Sequence, residues 1–103
     1  MKVYNKLVRD KIPSIMTAEG KNFRTHIATD EEYSEKLNDK LLEEVKEFLE
    51  DPCLEELVDI LEVIAALTEA MGFTEEEVFE KINHKSATSG DFTKKIILES
   101  VEE

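Results

Sequence analysis

Apolar residues recur at helical spacing along most of the chain. Leu37, Leu41, Val45, Phe48 and Leu49 fall on one side of a helix, and Thr29 or Asp30 stands where an N-cap would open it, which predicts a long helix running to about Glu50. Asp51-Pro52 breaks the pattern, since proline lacks the amide donor a helix needs. Leu54, Leu57, Val58, Leu61, Ile64, Ala65, Thr68 and Met71 then mark a second helix that Gly72 can close. So short a break predicts an antiparallel helical hairpin. Thr74-Glu75-Glu76-Glu77 has the form of a capping box and opens a third long helix through Val78, Phe79 and Ile82, fading near Ser89-Gly90.

The ends of the chain read less regularly. A short helix is expected from Asp10, taken as its N-cap, to about Ala18, with Pro13 tolerated in the first turn and Gly20 as the stop. Phe23-Arg24-Thr25-His26-Ile27 alternates apolar with polar residues, and Lys94-Lys95-Ile96-Ile97-Leu98 is β-prone. The two are expected to pair, joining residues near 24–28 and 94–99. No repeat, low-complexity tract or linker divides residues 1–103. The fold class that follows is a single, mainly α domain, an antiparallel helical bundle with a minor two-stranded β-pair.

The second long helix is apolar over more than one stripe. Val63, Ala66 and Leu67 widen its hydrophobic surface, leaving a strictly polar wedge of Glu55, Glu62 and Glu69. A chain of 103 residues has little material to cover such a helix on every side. A subunit interface along this helix is therefore expected, in a homodimer or a dimer of dimers.

Composition narrows the classes of function. The chain carries 25 Asp and Glu against 13 Lys and Arg, a formal charge of −12. That balance argues against polymeric nucleic acid as a partner, because grip on phosphate backbones draws on clustered cations. No apolar run is long enough to span a bilayer, so no membrane partner is expected. The first residues lack the apolar core of a secretory signal, and Cys53 is the only cysteine. A reducing cytoplasm is the expected compartment. Small phosphorylated ligands remain compatible with so acidic a chain where metal ions mask the carboxylates.

Two pairs of acids carry the chemistry. Glu44 and Glu47 precede the break and Glu56 and Asp59 follow it, each pair at i, i+3 and so on one helical face. Glu47 and Glu56 lie equally far from the turn, as do Glu44 and Asp59, so in an antiparallel hairpin they sit level. If those faces meet, four carboxylates converge within roughly 10 Å, the spacing of packed helices. They repel by about 4 kcal/mol per close pair at an effective dielectric near 20. A hard divalent cation relieves this, and Mg²⁺ or Mn²⁺ suits an all-oxygen donor set that leaves places for phosphate oxygens. The alternative is that the acids are a solvated face. His26, His84 and Cys53 have no recognisable catalytic partners.

Glu43-Glu44-x-x-Glu47 followed by Glu56-x-x-Asp59 resembles the EExxE…ExxD signature of the all-α, MazG-like nucleotide pyrophosphohydrolases. Tyr4-Asn5-Lys6-Leu7-Val8-Arg9-Asp10-Lys11-Ile12-Pro13 resembles the opening of the phosphoribosyl-ATP pyrophosphohydrolase-like subgroup. Lys81-Ile82-Asn83-His84-Lys85 is similar to the superfamily's K-x-N-x-K stretch, and Gly90-Asp91-Phe92 to the subgroup's closing G-G-F. Ser89 and Asp91 depart from that pattern, standing where the subgroup has an arginine and a second glycine.

The resemblance implies an Mg²⁺-dependent enzyme that cuts a nucleoside triphosphate to a monophosphate and pyrophosphate, clearing non-standard nucleotides or acting on phosphoribosyl-ATP-like substrates. It implies Glu44, Glu47, Glu56 and Asp59 as metal ligands and Glu43 as a second-sphere or general-base residue. Lys6, Arg9, Lys81, Asn83 and Lys85 would contact phosphates or base. The rival expectation is a non-catalytic helical interaction module that retains the fold.

Overall fold

The structure, a computed structural model, describes residues 2–102. Four helices follow one another: α1 (Ile12–Ala18), α2 (Asp30–Glu50), α3 (Leu54–Ala70) and α4 (Glu75–Ser89). The local chemistry of their ends explains where each begins and stops. Thr29 caps α2 by accepting from the Glu32 amide, and Thr74 and Glu77 form a reciprocal capping box at α4. Acids fill the first turn of both helices, where the helix dipole favours negative charge. Gly72, at φ +82°, closes α3 in a Schellman motif: its amide donates to the Glu69 carbonyl and the Phe73 amide to that of Thr68. Gly20 closes α1 in the same way. The start of α1 differs from expectation. Its N-cap is Lys11 rather than Asp10, with no side-chain capping bond, and the Ile12 amide donates to the Arg9 carbonyl.

Packing within the chain is concentrated between α2 and α3, which Asp51, Pro52 and Cys53 join into the expected hairpin. Among the described residues, Leu37 of α2 and Val63 of α3 are the buried apolar side chains, and Glu44 is buried with them. Leu41, Phe48, Ile60, Ala66 and Leu67 are half-buried around this seam. The other side of α3 is bare: Leu54, Leu57, Val58, Leu61 and Ile64 are exposed. Neither α1 nor α4 buries a residue. The molecule is mainly helical, but within one chain it is a hairpin with two appended helices rather than a closed bundle.

No strand forms among the described residues. The segments expected to pair run as irregular chain, for two physical reasons. An isolated two-stranded pair is marginal without a layer to pack on, and here Ile27 is 97% exposed, with Ile96, Ile97 and Leu98 also in the open. Lys95 adopts φ +59°, in a turn closed by its amide on the Phe92 carbonyl, which breaks the extended backbone a strand needs. Among the described residues no helix is long and apolar enough to cross a membrane.

Candidate metal centre

The hairpin turn sets the geometry of the acids. Because α2 and α3 run back along each other from residues 51–53, Glu44 arrives opposite Glu56 and Asp59. One carboxylate oxygen from each lies within 4.8 Å of the others. Glu44 is only 6% exposed, and Glu56 and Asp59 are half-buried. Lys40, one turn earlier on α2, places its Nζ 3.3 Å from Glu44 Oε1. The other oxygen, Glu44 Oε2, is buried without a hydrogen-bond partner, and so is Glu56 Oε2. A buried carboxylate oxygen left without a partner forfeits the solvation that would stabilise its charge, and native structures rarely tolerate this without a ligand or a reason.

The electrostatics point the same way. Burial pushes the Glu44 carboxyl above its ordinary range and Glu47 adds to the effect, while Lys40 opposes it. Glu56 is raised first by desolvation and then by the charges of Asp59, Glu44 and Asp51. These three oxygen donors, two of them with an unsatisfied buried oxygen, form a group that could hold a metal ion, which would offset both desolvation and repulsion. Glu47, expected as a fourth ligand, is half-buried and close enough to influence Glu44 and Glu56, yet its oxygens stand outside the converging set.

The N-terminal segment lays two cations against these acids. Lys6 Nζ is 3.4 Å from Glu43 Oε1, and Glu43 also receives Lys40 at 3.6 Å. Glu43 is thus held beside the cluster by two ammonium groups. Arg9 forks between two acids of α3, with Nη2 2.6 Å from Asp59 Oδ1 and Nη1 on Glu62. These two carboxylates, Glu62 before Asp59, raise the guanidinium pKa above its ordinary value.

The remaining expected substrate contacts are elsewhere. Lys81, Asn83 and Lys85 lie exposed on α4 and, among the described residues, make no ion pair or hydrogen bond with the acids. A single chain therefore does not gather all the expected site residues, because α4 leaves α3 through Gly72–Thr74 without packing back on the hairpin. At its end, Asp91 Oδ1 accepts from the Thr93 amide at 3.1 Å and from Thr93 Oγ1 at 2.8 Å, which holds the Asp91 carboxyl below its usual range. Asp91 is committed to a local turn. His26 joins Glu32 at 2.9 Å, and Cys53 is exposed at the start of α3.

Two participants escaped the sequence reading. Lys40 was findable, since its i, i+4 spacing to Glu44 is that of a helical ion pair. Glu62 was not, because nothing local links it to Arg9, 53 positions away. No protein-family model, curated protein or solved structure matches the chain.

Proposed function

We propose that the chain is an Mg²⁺-dependent nucleoside triphosphate pyrophosphohydrolase of the all-α, MazG-like kind, releasing pyrophosphate and a nucleoside monophosphate, with Mn²⁺ as an alternative ion. The observation that carries this reading is the buried, unpartnered oxygen of Glu44 beside Glu56 and Asp59. A folded chain gains little from sealing such a group among other acids unless a cation completes it.

Glu44, Glu56 and Asp59 would hold the ion, with Glu47 at its flank. The bound ion would supply a water of lowered pKa, an anchor for phosphate oxygens and charge to offset the leaving group. Glu43 stands beside Glu44 but outside the converging oxygens, paired with Lys6 and Lys40, and would take the proton of an attacking water once Lys6 turns to the phosphate chain. Lys6 and Arg9, paired with Glu43 and with Asp59 and Glu62, would turn to the phosphate chain when a nucleotide binds.

The functional unit is a homodimer or a dimer of dimers. A second copy laid along the bare side of α3 would complete the helical bundle. Lys81, Asn83 and Lys85 would then reach a site from the neighbouring copy, and the pairing of residues 24–28 with 94–99 would form where the assembly supplies a supporting layer. The substrates are surplus or non-standard nucleotides, with phosphoribosyl-ATP-like molecules as the narrower class, and the setting is a reducing cytoplasm.

A panel of standard and modified nucleoside triphosphates, assayed with and without Mg²⁺ and with pyrophosphate and orthophosphate measured separately, tests the reaction. Asp59→Asn should abolish Mg²⁺-dependent pyrophosphate release, a loss on the order of 100-fold or more, while circular dichroism stays unchanged. Wild-type turnover in that variant would remove the mechanism. The second reading, an interaction module without catalysis, is favoured by Ser89 and by the local engagement of Asp91. It requires that millimolar Mg²⁺ leave the thermal midpoint where it was.

A further inference from the structure

Among the described residues, Arg9 alone links the N-terminal segment to a carboxylate of the converging set. Its guanidinium reaches Asp59 Oδ1 at 2.6 Å and Glu62 with its other nitrogen. Glu62 belongs to none of the acids that converge on Glu44. The two contacts therefore differ in kind: one acid is a member of the cluster, and the other lies one turn further along α3, outside it.

We propose that Arg9 is a resident counter-ion of the acid cluster, which yields Asp59 to an incoming divalent cation while Glu62 retains the guanidinium nearby. The inference rests on the metal reading above and adds a competition to it. A carboxylate oxygen that accepts a charge-assisted hydrogen bond at 2.6 Å has that lone pair committed. A cation drawing all three acids together therefore competes with that bond at Oδ1, or takes the other oxygen of Asp59 with the guanidinium against it. Displacement is also favoured by repulsion, since guanidinium and a divalent ion cannot share one carboxylate edge without strong like-charge contact. Glu62 keeps the released group local, so that Arg9 rebinds Asp59 as soon as the ion leaves, as expected for a tethered ligand at high effective concentration. In its absence the cluster would carry its repulsion unrelieved at Asp59.

Two measurements with Mg²⁺ alone, and no nucleotide, test this. Isothermal titration of the full chain should find Mg²⁺ binding about fivefold tighter in Arg9→Gln than in the wild type, the upper range for releasing an exposed ion pair. Lys11→Gln makes the same change of net charge in the same segment at an exposed residue, and it should alter the affinity less than about twofold. Glu62→Gln, which leaves Arg9 but loosens its hold, should fall between the two. The second measurement is spectroscopic. The chain has two arginines, Arg9 and Arg24, so a ¹⁵N spectrum contains two arginine Nε signals. Saturation with Mg²⁺ should move the Arg9 signal towards the position and exchange rate of the solvent-exposed Arg24, which serves as the internal reference.

If Arg9→Gln binds no more tightly than Lys11→Gln, or the Arg9 signal stays put at saturation, the competition is refuted while the metal site stands. If neither the wild type nor Arg9→Gln binds Mg²⁺, the metal reading fails and this inference with it. Binding by Arg9→Gln alone would be its strongest support.

Discussion

Glu44 carries a cost that only its surroundings explain. It lies buried in the seam between α2 and α3, with one oxygen on Lys40 and the other without a partner. Burial raises its folded pKa above the ordinary value, so the metal-free fold is favoured while Glu44 is protonated and loses that advantage as the pH rises through the raised pKa. Glu44→Gln keeps the shape and removes the charge. Without metal it should therefore melt about 4 °C higher than the wild type at neutral pH, on the scale where 1 kcal/mol moves a small domain by several degrees, and the difference should close towards acid pH. Added Mg²⁺ should stabilise the wild type and leave the variant unmoved. Thermal scans across pH, with and without Mg²⁺, check both halves, and a variant that melts lower than the wild type at every pH would mean that the charge is already compensated. The mirrored spacing of Glu44 and Glu47 against Glu56 and Asp59 made this cluster legible in the sequence. What spacing could not give was depth, for it marks which residues share a face and not that Glu44 alone is sealed while Glu47 stays at the edge.

At the scale of elements, local signals located the helices because their ends are decided by chemistry within a few residues. Thr29, the Thr74 and Glu77 capping box, and Gly20 and Gly72 at positive φ all act where their residue types indicate. The hairpin was legible for the same reason, since Asp51-Pro52 leaves the chain only one way to continue. The β-pair was not, because alternation reports a surface that wants covering and says nothing about whether a covering layer exists. Helix α4 is the instructive case. It buries no residue, so its helicity depends on capping and on its own side chains rather than on packing. Thr74→Ala removes the hydroxyl that accepts from the Glu77 amide and donates to Glu77 Oε1, leaving the bond from the backbone amide of residue 74 to that carboxylate, at a cost of about 1 kcal/mol. The expected outcome is faster amide exchange in the first turns of α4, with exchange in α2 and α3 unchanged. Uniform loss of protection across all helices would instead mean that α4 is packed in solution, and would place it within the assembly.

The dimensions of the whole molecule argue for a partner. Its radius of gyration is 18.5 Å and it measures 60 × 31 × 28 Å, whereas a compact chain of this length has a radius near 13 Å. It exposes 9736 Å² where a compact protein of 11.8 kDa exposes about 5,900 Å². The excess, roughly 3,800 Å², is several times the 800 Å² or so that each partner buries in a standard interface. Much of it is apolar, and one stripe is continuous: Leu54, Leu57, Val58, Leu61 and Ile64 run along α3 on the side away from α2. In the proposed dimer a chain with so small a core of its own would gain stability by covering that stripe, for which a second copy offers a self-complementary face under two-fold symmetry. Leu61, 58% exposed in the single chain, lies in the middle of the stripe. Leu61→Glu places a charge where the partner would bury it, so it should dissociate the assembly and, because the hairpin core is small, lower the helical content together with the mass. Sedimentation equilibrium at micromolar concentration is the check: the wild type should have at least twice the mass of one chain and Leu61→Glu that of a single chain. The charge reversal Glu55→Lys, on the polar side of the same helix, should leave the mass unchanged. A wild type that sediments as a monomer would require the chain itself to fold more tightly, with α4 turned back onto α3, and a radius of gyration near 13 Å in solution scattering would then confirm that arrangement in place of the dimer.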